Sequence, residues 1–160
     1  MAHADLADWI ARHNEQLTAR WIAAVRADAR IQSDADLPED GLRNHIPAVI
    51  EEICDLLRSE EPPTVVNTRE ARVHAYVRFR QGYRARELVR ELSLLRITLL
   101  DHLSASMLKD SLDVSLELYA SAMRLINMYL DEEMSYAVSV YAEVMKSGEL
   151  RTSIKTDGHP

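Results

Sequence analysis

Six residues between positions 74 and 96 have types and spacings that could do chemistry: His74, Arg78, Tyr83, Glu87, Glu91 and Arg96, set among leucines and valines. Polar groups in apolar helical sequence are costly unless they are paired. Glu87 and Glu91 stand one helical turn apart, a spacing that lets one carboxyl raise the pKa of the other for acid–base work. Arg84, Arg90 and Arg96 are close enough to cancel that effect, and ordinary salt bridges account for the same pattern. His74 admits two readings. A neutral imidazole is a good axial ligand for haem iron, and the same ring can serve structurally by bonding to Glu91 or to a backbone carbonyl. Arg72, Arg78 and Arg80 on the same helix favour the structural role. Phosphoryl transfer through His74 is disfavoured because Tyr76, Val77 and Phe79 crowd the site and no Lys-Gly follows. No nucleophile accompanies the cluster. The chain has no His-Glu-x-x-His, no Glu-x-x-His pair and only one cysteine, Cys54, so metal chemistry outside haem has no ligand set. No catalytic residue is assigned.

The elements that must position these groups are helical. Five segments are predicted and no strand. The first covers about 4 to 29, with Leu6, Ile10, His13, Leu17, Trp21 and Val25 at spacings of three and four. Asp34 to Asp40 forms a turn. Asp36, Pro38 and Glu39 then start a second helix along Leu42, Ile46, Val49, Ile53 and Leu57, which ends at Glu60-Glu61-Pro62-Pro63. The third opens at Asn67 with Glu70 as its capping partner and runs to the Gln81-Gly82 break. The fourth, from Arg86 to about Met107, carries Leu88, Leu92, Leu95, Leu99 and Leu103 on one face. The fifth, from Asp110–Asp113 to about Met145, is the longest.

That last helix carries two apolar stripes. Leu118, Ala122, Leu125, Tyr129, Tyr136, Val140 and Val144 form one, and Tyr119, Met123, Ile126, Leu130, Met134, Ala137, Tyr141 and Met145 the other. A helix apolar on two sides calls for two neighbours. A homodimer built on the second neighbour is the expectation, and burial of both stripes inside one chain is the alternative. Trp9, Trp21, Phe79 and the tyrosines are read as core aromatics before pocket linings, and the methionines as core filler. His13, His45 and His102 fall on or beside helix stripes as partly buried polar positions.

At 160 residues with 47% hydrophobic content, four Gly and five Pro, the chain fits one ordered domain, expected over 4–146 with a flexible C-terminal tail at 147–160. A single Cys and an N-terminus without a signal-like segment make a cytoplasmic location the expectation. The apolar runs are too short to span a bilayer. The net charge of −7 is uneven, because residues 69–96 hold eight Arg against three Glu. Such a stripe can meet an acidic partner or pair with acidic helices of the same chain. The overall acidity argues against nucleic acid.

The helix order, the His74-x-x-x-Arg78 pair, Gly82-Tyr83, Glu87-Leu88-Val89-x-Glu91, Leu94-Leu95-Arg96 and the closing Asp131-Glu132-Glu133 with Tyr141 together resemble the RsbRD-type N-terminal domain. That domain belongs to bacterial stressosome co-antagonists and sensor histidine kinases, and the resemblance covers residues 5 to 146. It implies an all-α, globin-like or bundle-like dimeric input domain whose long C-terminal helix leads to an output kinase, PAS or STAS module, in cis or in trans. Related stressosome domains lack haem. The expected function is a non-enzymatic sensory domain. His74, Arg78, Tyr83, Glu91 and Arg96 form its signal-receiving or structural polar cluster, and Leu118, Leu125, Tyr129, Tyr136, Val140 and Tyr141 mark its dimer and output helix. Two alternatives stay open: a haem or other tetrapyrrole sensor with His74 as axial ligand, and an interaction module using an Arg stripe through Arg72, Arg80 and Arg84.

Overall fold

A computed structural model describes residues 2–59, 68–109 and 113–156, with side chains described up to Glu143 and at Lys146. Among these residues there are seven helices and no strand: α1 (His3–Arg12), α2 (Asn14–Ala27), α3 (Glu39–Arg43), α4 (Ile46–Arg58), α5 (Arg69–Arg80), α6 (Ala85–Leu108) and α7 (Leu116–Thr156). The all-α expectation holds, but two of the five expected segments are split in two.

The first split is at His13. Its ring Nδ1 lies 2.7 Å from the Trp9 carbonyl, and its backbone N–H bonds to the Ile10 carbonyl at 2.9 Å. A side chain that competes for a helix carbonyl interrupts the ladder. The break has a tertiary consequence, because α1 can then pack on α4 while α2 packs on α6. Asn14, just beyond the break, holds the Pro47 carbonyl through Nδ2 at 2.8 Å.

The second split separates α3 from α4. Pro47 has no N–H to give the Arg43 carbonyl and restricts the residue before it, so it is tolerated only in the first turn of a new helix, where it lies. The chain turns through Asn44 at φ 41°. At the other boundary, Glu60 to Pro63 and Asn67 lie outside the described residues. The opening of α5 is capped from a distance: Glu52 of α4 accepts the Arg69 N–H on Oε1 at 2.8 Å and the Glu70 N–H on Oε2 at 3.1 Å.

Gly82 ends the α5 segment as expected. Its φ of +84° places it in the left-handed region. The Tyr83 N–H returns to the Arg78 carbonyl at 3.0 Å and the Gly82 N–H to the Phe79 carbonyl at 3.1 Å, the paired bonds of a Schellman termination. Two residues later α6 begins, with Glu87 accepting the Arg84 N–H at 2.8 Å.

The core sits where α2, α4, α6 and α7 meet. Leu88, Leu92, Leu95, Leu99 and Leu103 of α6 are all buried, together with Trp21, Ile50, Ile53, Leu57, Ile126, Tyr129 and Leu130. Within the described part of α7, residues from both apolar stripes are buried in the single chain: Ala122, Leu125 and Tyr129 on one, Met123, Ile126, Leu130, Ala137 and Tyr141 on the other. The helix does not stop near Met145, since its backbone stays helical to Thr156. Residues such as Glu149, Leu150, Arg151 and Lys155 are good helix formers, and no proline falls within α7. The expected boundary near 146 thus falls inside α7, and 157–160 lie outside the described residues.

Candidate functional site: a buried His-Arg-Glu cluster

His74 and Arg78 lie one turn apart on the inner face of α5, and Glu91 reaches them from α6. All three are 0% exposed. Glu91 Oε2 accepts from Arg78 Nε at 2.8 Å and lies 3.2 Å from His74 Nε2. Three turns of chain are thereby tied to one oxygen.

The rest of Arg78 is directed at α3. Nη1 donates to the Gly41 carbonyl at 2.9 Å and to Gln81 Oε1 at 2.7 Å, and Nη2 donates to the Leu42 carbonyl. A five-residue helix ends with carbonyls that have no partner of their own, and a guanidinium placed there satisfies both hydrogen bonding and the helix dipole. Its Cζ also stands 4.9 Å from the centre of the Tyr83 ring, a cation–π distance. The Trp21 indole N–H donates to the backbone carbonyl of Glu91 at 3.0 Å, bringing α2 into the same knot.

His74 is neutral here. Burial pushes its pKa below the ordinary histidine range, with Arg78 and His45 adding to that and Glu91 opposing it. Asn44 Nδ2 lies 3.3 Å from Nδ1, so Nδ1 accepts and Nε2–H donates to Glu91. Axial ligation of iron would require the Nε2 lone pair, which this arrangement does not leave free. With Arg78 and Glu91 against the ring, these residues do not fit a haem.

The acid–base reading of Glu87 and Glu91 also changes. Burial raises the Glu87 carboxyl, but the N–H groups of Arg84, Gln32 and Ser33 and the Ser33 hydroxyl outweigh it, leaving the pKa below its usual value. Glu87 therefore ties the loop between α2 and α3 to α6, at 2.9 Å from the Gln32 nitrogen and 2.9 Å from Ser33 Oγ.

Of the expected cluster, His74, Arg78, Tyr83 and Glu91 come together and Arg96 does not. Arg96 pairs with Asp131 of α7 and belongs to the α6–α7 seam. Tyr141, expected on the output helix, approaches the cluster from α7. Its ring meets Phe79 edge-on at 5.3 Å, and burial plus the charges of Glu91 and Glu87 push its hydroxyl pKa up to about 12. Glu91 Oε1 and the Tyr83 and Tyr141 hydroxyls are buried without a well-formed hydrogen bond, and burial first, then Glu91, raises the Tyr83 pKa. The network is fully bonded toward α3 and under-bonded toward α7.

Other expected positions lie elsewhere. Leu125 and Tyr129 are buried in the chain, while Leu118, Tyr136 and Val140 are partly exposed. Tyr129 donates its hydroxyl to Glu52 at 2.6 Å. Arg72 is exposed, as are Arg80 and Arg84, but its Nε bonds to Thr68 Oγ1 at 3.0 Å and its guanidinium lies 4.3 Å from the centre of the Tyr136 ring. His13 and His102 group with Trp9, ring centres 4.1 to 5.2 Å apart. Asn44, Trp21, Gln81 and the α3 carbonyls are cluster members that periodicity alone does not reveal. The one available signal is the need of a buried indole N–H for an acceptor. Among the described residues no group of three or more His, Cys, Asp or Glu could hold a metal ion, and no helix is long and apolar enough to cross a membrane.

No curated protein and no solved structure matches the chain. Residues 15–150, spanning α2 through most of α7, match the family described as RsbT co-antagonist protein rsbRD N-terminal domain. A match over that much of the sequence places the chain in that family: it belongs to the RsbRD N-terminal domains, a stressosome-related group of signalling domains.

Proposed function

We propose that this chain is a cofactor-free, non-enzymatic input domain that converts a change around the His74–Arg78–Glu91 cluster into a change in the position of α7. The observation carrying this reading is the asymmetry of the cluster. Arg78 fastens α3, α5 and α6 together through charge-assisted bonds, while the side facing Tyr141 of α7 has three buried polar atoms without a well-formed hydrogen bond. Fully bonded networks are rigid, and a partly satisfied one has less to lose when a neighbour moves. Movement of α7 is thus the least opposed response, and packed helices shift between discrete arrangements. Its C-terminal part, continuing to Thr156, is the natural connection to a kinase, PAS or STAS output module, in a cytoplasmic protein.

Homodimerisation is the second part of this reading. Residues of both expected stripes are already buried, so a partner chain would meet the outer face of α7, where Met128 and Val138 are exposed, with the partly exposed Leu118, Tyr136 and Val140 at its margin.

Spin labels at Lys146 and at a fixed site on α4 test the relay. Glu91→Gln is expected to change the distance distribution between them while the helical content stays the same. An unchanged distribution would refute the relay. Light scattering on a size-exclusion column tests the dimer, which an 18.2 kDa species at high concentration would rule out.

A further inference from the structure

Glu133 lies on α7 about two turns before Tyr141, where α4 and α5 pack against the helix. Its side chain is 0% exposed, and neither carboxylate oxygen has a hydrogen-bond partner. A buried carboxylate whose nearest donors, the Thr68 hydroxyl and the Arg72 guanidinium, make no well-formed hydrogen bond to it is among the costliest groups a helix interface can hold.

Each element around it supplies charge, and the balance is unfavourable to an anion. From α4 comes Glu52, whose oxygens already accept the Arg69 and Glu70 N–H groups and the Tyr129 hydroxyl. From α5 comes Arg72, with Nε 3.9 Å from Glu133 Oε1, but that N–H bonds to Thr68 and the guanidinium lies over Tyr136. Glu70, also on α5, turns its carboxylate toward His45 at 3.5 Å. On α7 itself the neighbouring charge is Glu132. One partly exposed cation thus faces a carboxylate that has Glu52 and Glu132 close by.

We propose that Glu133 is a proton-binding site that keeps α7 seated on α4 and α5 while protonated and loosens that contact when it ionises. Burial, chiefly, and then Glu52 and Glu132 raise its pKa to about 7, against the lowering pull of Thr68 and Arg72. The direction follows from linkage. An unpacked Glu133 loses its proton near 4.5, the packed one retains it to about 7, and the packed state therefore binds the extra proton between those values. Its advantage is full below pH 4.5, declines as pH rises through that window and is lost above it. This goes beyond the input-domain reading and does not depend on it, because the site concerns the packing of α7 whatever α7 is joined to.

The test compares the wild-type chain with Glu133→Gln, which keeps the shape and mimics the protonated form. Carboxyl carbon resonances of the wild type should give Glu133 a midpoint near 7, and a midpoint below about 5, the ordinary range, would overturn the proposal. Hydrogen exchange of the α7 amides, corrected for the intrinsic rate, should accelerate about tenfold in wild type between about pH 6 and about pH 8, with no such change in Glu133→Gln. The same acceleration in both proteins would overturn it as well. The resonance titration needs only the wild type, so it decides the matter even if the variant does not fold.

Discussion

Replacing Arg78 by Met removes a buried charge while keeping most of the side chain's volume, and the structure sets what this should cost. Glu91 would lose its 2.8 Å partner in a fully buried site, and breaking a buried pair from one side typically costs about 3 to 5 kcal/mol. The buried Leu42 carbonyl at the end of α3 would lose its charged donor, adding about 1 kcal/mol, while the half-buried Gly41 carbonyl can turn to water instead. A loss of about 4 to 6 kcal/mol follows. For a chain of this size that lowers the thermal midpoint by roughly 8 to 24 °C, a large share of typical total stability. Urea unfolding followed by circular dichroism and by Trp21 fluorescence measures it. The double variant Arg78→Met/Glu91→Met removes both charges. It should recover at least about 2 kcal/mol relative to the sum of the single changes, because the two side chains share one bond. Recovery stays incomplete, since His74 and the Leu42 carbonyl remain without partners. A single-variant loss below about 1 kcal/mol, the range of exposed ion pairs, or strict additivity in the cycle, would refute the assignment of Arg78 and Glu91 as a buried coupled pair.

Three further outcomes follow from the same geometry. Gly82→Ala meets no atom within 4 Å but must adopt φ +84°, so it should cost about 1 kcal/mol, read from the urea midpoint; a stabilised variant would contradict the left-handed turn. His74 has a folded pKa below its unfolded value of 6.5, so the unfolded chain binds the extra proton and stability should fall as pH drops below about 6.5; a His74→Gln variant should flatten that acid limb, and an unaltered limb would count against a buried neutral imidazole. Haemin added to the purified protein should produce no Soret band that depends on His74, because Nε2–H is directed at Glu91, and a band lost in His74→Ala would overturn that tautomer.

The helices themselves were readable from the sequence because their cause is local. The spacing of Leu88, Leu92, Leu95, Leu99 and Leu103 marks the buried face of α6, and a helix that must hide such a stripe leaves its period in the chain. Gly82 was readable for a similar reason, since few other residues adopt its φ. His74, Arg78 and Glu91 stood out because charged groups in apolar sequence need partners, and the partners proved to be one another.

Only the tertiary structure decided where α3 and α4 part and where α1 and α2 part, since hydrophobic period continues across both breaks. Pro47 was a local signal for one break; the ring of His13 and the different neighbours of α1 and α2 settle the other. Arg96 shows the same limit. Its type and position on α6 match those of the cluster residues, yet its side chain points to Asp131 of α7. Glu133 is the strongest case. In sequence it is one of three consecutive acids, Asp131, Glu132 and Glu133, of which the first two are exposed and the third is buried at 0%. Hydrophobic periodicity depends on neighbours along the chain, but burial of a charge depends on which helices arrive from elsewhere, and here α4 and α5 enclose one carboxylate and leave the two beside it in water.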